Sequence, residues 1–106
     1  MARALINVPT RAKRGAVIEL RTLLSHPMET GFRPNASGVL IPRDIVTSLA
    51  CTYNGAEIFY AEIHPALAAN PYIAFHTIAT ESGTIVFTWK GDHGFVATES
   101  VTISVE

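Results

Sequence analysis

Residues 44–63, DIVTSLACTYNGAEIFYAEI, decide the fold. At their centre stands Asn54-Gly55, the dipeptide best suited to a type I′ turn because both central residues of that turn take φ > 0. The flanks are rich in Val, Ile, Thr, Tyr and Phe, residues whose branched or flat side chains fit a pleated surface better than a helix. Two such runs separated by two turn residues predict an antiparallel hairpin, DIVTSLACTY returning as AEIFYAEI. Side chains alternate along a strand, so Ile45, Thr47, Leu49, Cys51 and Tyr53 are expected to share one face.

The same grammar extends outward in both directions. Upstream, ALINV (residues 4–8) is a short strand closed by Pro9, whose missing N–H suits a strand end. AVIELRTLL (16–24) puts Ile18, Leu20 and Leu24 on one face and Glu19 and Arg21 on the other, the alternation of a sheet with one buried side. From His26 to about Arg43 the chain is punctuated by Pro27, Gly31, Pro34, Gly38 and Pro42, too often for a helix. Downstream, HPALAANP (64–71) reads as a loop with one helical turn, and YIAFHTIAT (72–80) sets Ile73, Phe75 and Thr77 against Tyr72, Ala74, His76 and Ile78. Ser82-Gly83 and GDHG (91–94) mark further turns around TIVFTWK and FVATESVTISV. These segments predict an all-β chain: an immunoglobulin-like β-sandwich of about seven antiparallel strands. The Cys…Trp…Cys pattern of antibody domains is missing, as the chain holds a single cysteine. With no internal repeat or linker, residues 1–106 read as one domain.

Bulk composition narrows the function. Eight Lys and Arg against nine Asp and Glu leave a net charge of −1, without the basic field that would hold a nucleic-acid backbone or an anionic membrane. Charged residues make up 16% and hydrophobic ones 48%, against about 25% charged in ordinary soluble domains. Small domains have proportionally more surface to cover, so this sparse polar coat predicts apolar surface shielded by another chain. No run approaches the ~18 apolar residues of a membrane span. Only residues 4–8 are apolar ahead of Pro9, short of a secretory signal's core of about 7–15 residues, so no export signal is expected.

Catalytic and metal chemistry find little support in the residue pattern. Cys51 falls in mid-strand, where a free thiol is expected to be inert core; a Cys51–His26 nucleophile pair is the competing reading, with nothing local to favour it. His26, His64, His76 and His93 show no ligand spacing relative to one another, and no second cysteine completes a zinc set. His76 reads as a partly buried strand histidine and His93 as a solvated turn residue. Glu29 and Asp44 form no recognisable acid–base pair, and there is neither a phosphate-cradling glycine loop nor a nucleophile elbow. No catalytic, cofactor or metal residue is assigned. HPMETG (26–31) has two readings from its residues alone: a structural loop stiffened by Pro27, or a docking surface in which an exposed Met28 sits beside His26 and Glu29.

Five ordered blocks carry a resemblance. SHPMETGFR followed by IPRDIV, then CTYNGAEIF, ANPYIAF and SGTIVFTW before a Gly/Asp turn resemble the SoxZ family, small subunits of the SoxYZ thiosulfate-oxidation carrier, from about Ile6 to Val105. The resemblance implies a non-catalytic half of a heterodimer. Its partner SoxY bears sulfur intermediates on a cysteine near the end of a glycine-rich arm, while SoxAX loads thiosulfate, SoxB hydrolyses the terminal sulfate and, in some organisms, SoxCD oxidises the sulfane sulfur. It also implies a periplasmic location reached by co-export with the signal-bearing partner. On this reading His26, Met28, Glu29, Gly31 and Arg33 form a candidate docking surface, with Asn70, Pro71 and Tyr72 as a second segment. A stand-alone immunoglobulin-like binding module is the alternative.

Overall fold

A computed structural model describes residues 3–64 and 69–106. The helical turn expected within HPALAANP lies outside the described residues. Among the described residues eight strands follow one another: β1 (Arg3–Asn7), β2 (Arg11–Ala12), β3 (Val17–Ser25), β4 (Val46–Tyr53), β5 (Ala56–Glu62), β6 (Tyr72–Ile78), β7 (Gly83–Gly91) and β8 (Val96–Val105). They form a three-stranded sheet in the order β1-β3-β6 and a five-stranded sheet in the order β2-β8-β7-β4-β5. The all-β sandwich expected from the sequence is what the chain adopts. Every pairing among the other seven strands is antiparallel; β2, two residues long, runs parallel to β8 through Arg11↔Ser104 and Ala12↔Val105. No alternation can reveal a strand that short, and only its partner defines it.

The central hairpin forms as its turn residues dictate. Asn54 and Gly55 take φ of 49° and 85°, the pair of positive angles that a type I′ turn needs. A bulge at Cys51/Thr52 bends β5 against β4, and a second irregularity between Val46 and Ser48 interrupts β4 against β7. The second one corrects the expected face of β4. Both Ile45 and Val46 turn inward, and Thr47 is only half-buried, because the extra residue breaks strict alternation.

The core lies between the sheets. Leu20 and Leu24 from β3 meet Leu49, Cys51, Phe87 and Trp89 from the facing sheet, all at most 1% exposed. Burying each large aliphatic or aromatic side chain contributes roughly 1.5–3 kcal/mol. Phe59 of β5 stacks on Phe75 of β6, ring centroids 4.0 Å apart and 4° from parallel, joining the two sheets where both end. At the far end of β4, Tyr53 Oη donates a hydrogen bond to the Glu81 carbonyl in the β6–β7 turn. His76 departs from expectation: it lies on the outer face of β6 with 61% of its side chain exposed, Nε2 3.6 Å from Glu19 Oε2. Its neighbours Phe75 and Thr77 take the inward positions, so alternation sends the imidazole to solvent. The molecule is drawn out to 59 Å along one axis and 20 Å across the others.

Candidate docking surface

Residues 26–44 form an irregular hairpin, the arm. Glu29 and Asp44 exchange backbone hydrogen bonds of 2.8 Å in each direction, and further out Ile41 N–H donates to Arg33 O at 2.9 Å. At the tip, Asn35 Oδ1 accepts the N–H groups of Ser37 (2.8 Å) and Val39 (3.1 Å), the side-chain turn for which Asn is suited. Arg33 clamps Glu29 across one side, Nη2 to Oε1 at 2.6 Å. The guanidinium holds the Glu29 carboxyl below its ordinary value. Gly31 has φ of 89°, and a Cβ there would lie 3.1 Å from Arg43 Cβ, so this position is fixed by both conformation and space.

Buried side chains anchor the arm's base. His26 Nδ1 accepts the Met28 N–H at 3.0 Å, which leaves the ring proton on Nε2, 3.8 Å from Asp44 Oδ1. The edge of the His26 ring meets Phe95 at 5.1 Å and 72°. Met28 reaches inward, and its Sδ accepts the Val46 N–H at 3.3 Å. Arg43 makes two bonds to Asp92, 2.8 and 2.7 Å, and Asp92 Oδ2 also accepts Ile45 N–H at 3.1 Å. The Arg43 guanidinium, ahead of other causes, holds the Asp92 carboxyl below its ordinary value.

The two segments singled out in the sequence come together. Asn70 N–H donates to His26 O at 2.7 Å, and Asn70 Oδ1 accepts His26 N–H at 2.9 Å. Within this cluster the residues divide by exposure. Met28 was expected at the surface; it is a correction that both Met28 and His26 are 5% exposed, because the thioether is drawn into the core to satisfy Val46. Pro71 is buried too, and Glu29 and Gly31 are partly covered, whereas Arg33, Asn70 and Tyr72 face solvent. Residues missed in the sequence supply the apolar outer surface: Phe32 (80% exposed), Val39 and Leu40 on the arm. Leu5 and Leu23 line a shallow pocket of about 190 Å³ with Ser25 and Asn70. Only the sparse polar coat hinted at them.

Cys51 has no accessible surface, and burial pushes its thiol up to about 12. Among the described residues, no three His, Cys, Asp or Glu side chains stand close enough to share a metal ion. No described helix is long and apolar enough to cross a membrane.

Residues 6–102 match the family described as sulphur oxidation protein SoxZ. The chain belongs to the SoxZ family. No curated protein sequence matches it. Among solved structures, this SoxZ-family chain is similar to a superoxide reductase (neelaredoxin) from Ignicoccus hospitalis, TM-score 0.73 at 15% identity, covering 97% of this chain and 80% of the other. A putative superoxide reductase from Thermotoga maritima gives 0.73 at 16% identity, covering 97% and 85%. The sulfur carrier protein SoxY from Chlorobium limicola f thiosulfatophilum gives 0.66 at 13% identity, covering 96% and 74%. At such identities the likeness is one of fold, and it places the SoxZ-family chain in the same sandwich architecture as these proteins.

Proposed function

We propose that the chain is the non-catalytic subunit of a heterodimeric sulfur carrier, scaffolding a SoxY subunit whose cysteine holds the sulfur intermediates. Family membership supports the pathway, and one observation carries the division of labour. The sole thiol, Cys51, sits in the middle of β4 with no exposed surface; a carrier thiol must be ionised and reach the sites of several enzymes. The arm, with Phe32, Val39 and Leu40 outward and its base pinned by His26, Met28 and Asp92, is the docking element offered to SoxAX, SoxB and, where present, SoxCD. The complex works in the periplasm, exported with SoxY.

The test is intact-mass spectrometry of the purified pair after turnover with thiosulfate and the loading enzyme. Sulfur adducts are expected on SoxY alone; adducts on this chain sink the proposal. For the arm, Phe32→Ser is expected to leave the unfolding temperature unchanged, as for most exposed positions, while weakening association with at least one visiting enzyme. Removing the SoxY signal segment is expected to retain this chain in the cytoplasm.

A further inference from the structure

The outer strand β6 carries a row of backbone groups with no partner in the described sheet. Leu24 N–H donates to Pro71 O at 3.1 Å and Ala79 N–H to Ala16 O at 2.9 Å. These bonds lie in register with the β3–β6 ladder, which runs from Val17↔Ile78 to Leu23↔Tyr72 without a shift. In an antiparallel ladder alternate residues bond to the neighbour. Ile73, Phe75 and Thr77 therefore serve β3, while Tyr72, Ala74, His76 and Ile78 direct N–H and C=O away from it.

Free edges are normally blunted by Pro, Lys, bulges or inward charges. β6 has none of these over its seven residues. The other edges differ: β5 carries Glu57 and Glu62 and a bulge against β4, and β1 is shorter and lies beside β8. On the outer face of the same sheet, Leu5, Leu23 and Tyr72 are cross-strand neighbours, as are Val17 and Ile78. Tyr72 and Ile78 are more than half exposed. Between these apolar rows Arg21 and Glu19 neutralise one another, Arg21 Nε standing 2.6 Å from Glu19 Oε1, and His76 lies 3.6 Å from the other Glu19 oxygen.

We infer that the edge of β6 accepts an uncharged, extended strand from the sister subunit, making the sheets of the two chains continuous. This rests on the reading of the chain as a partner of SoxY. The SoxY from Chlorobium limicola f thiosulfatophilum, whose likeness covers 96% of this chain at a TM-score of 0.66, has the same all-β fold and so offers strands of the right-handed twist general to sheets, as edge pairing demands. A second copy of this chain is the competing occupant.

Amide hydrogen exchange resolved by residue tests the inference on the full chain, alone and with SoxY. The amides of Tyr72, Ala74, His76 and Ile78 are expected to exchange readily in the free chain and at least tenfold more slowly in the complex. Ala74→Pro removes an N–H that points away from β3, so the β3–β6 ladder keeps its bonds; a folded variant with at least tenfold weaker SoxY binding supports the inference. Should that variant not fold, exchange in the unaltered protein decides. A complex that forms while those four amides exchange as before overturns the edge assignment and leaves SoxY as partner. Absence of any complex overturns both. Protection that grows with the concentration of this chain alone assigns the edge to self-association and overturns it as well.

Discussion

Asn70 and His26 hold each other's main chain: the Asn70 N–H donates to His26 O at 2.7 Å and its side-chain oxygen accepts His26 N–H at 2.9 Å. One residue in front of β6 thereby fixes the point at which the arm leaves β3. Asn70 does this with φ of 54°, an angle that Asn tolerates better than most side chains. Asn70→Ala is expected to lose about 1–3 kcal/mol of stability in denaturant unfolding, combining the orphaned N–H with backbone strain. Asn70→Gly, relieved of the strain, should lose less. Equal stability of both variants and the parent would show that this pairing does not anchor the arm.

Met28→Ala is a core truncation. Removing the buried thioether is expected to cost about 2–5 kcal/mol, read as a lower urea midpoint. Met28→Leu keeps the volume but strands the Val46 N–H, so its cost should be smaller yet measurable, about 1–3 kcal/mol. A Met28→Ala protein as stable as the parent would restore the exposed placement.

Cys51 predicts an alkaline weakness. Its thiol ionises at about 12 in the folded chain against an ordinary 9.0, so between these values the unfolded state holds fewer protons. Stability contributed by the buried neutral thiol is complete below pH 9.0 and falls as pH rises toward about 12, by roughly 1.4 kcal/mol per pH unit. The difference in unfolding free energy between the parent and Cys51→Ala should shift accordingly across that window. Iodoacetamide should label Cys51 only after unfolding; prompt labelling of the native chain contradicts its burial.

Acid should loosen the arm before it unfolds the sandwich. Asp92 and Glu29 are held below their ordinary values of 3.8 and 4.5 by Arg43 and Arg33. A depressed carboxyl contributes stability above its unfolded value and loses it as pH falls through the folded one. Amide resonances of Gly31, Arg33 and Ile45 should therefore move below pH 4.5, and in Asp92→Asn the Ile45 shift should lose its acid-dependent part.

Gly91→Ala tests a close crossing. A Cβ at Gly91 would stand 2.5 Å from Ile45 O and 3.0 Å from Val46 Cα, both main-chain atoms that cannot swing aside. The variant is expected to lose about 1–3 kcal/mol and to shift the Asp92 N–H bond to Ile45 O, now 2.9 Å. An unchanged melting temperature would contradict the packing at this crossing.

The fold was legible wherever alternation or a turn dipeptide spoke for itself. Asn54-Gly55 and the inward row Ile18, Leu20 and Leu24 fall where the pattern put them. What local pattern could not supply was partnership across the chain. Met28 looked available because its neighbours His26 and Glu29 are polar, yet its destination is set by the Val46 N–H, eighteen residues away. Likewise β2 exists only through Arg11↔Ser104 and Ala12↔Val105. The sequence marks segments 26–33 and 70–72 separately; it is the fold that brings Asn70 N 2.7 Å from His26 O and ties them together.

Sealing the only sulfhydryl inside β4 has a consequence for cargo handling. If the chain is the scaffold proposed above, a persulfide or thiosulfonate travelling on its partner meets no rival thiol here, because Cys51 has no exposed surface. In that role the inert thiol would protect the fidelity of transfer by staying out of reach.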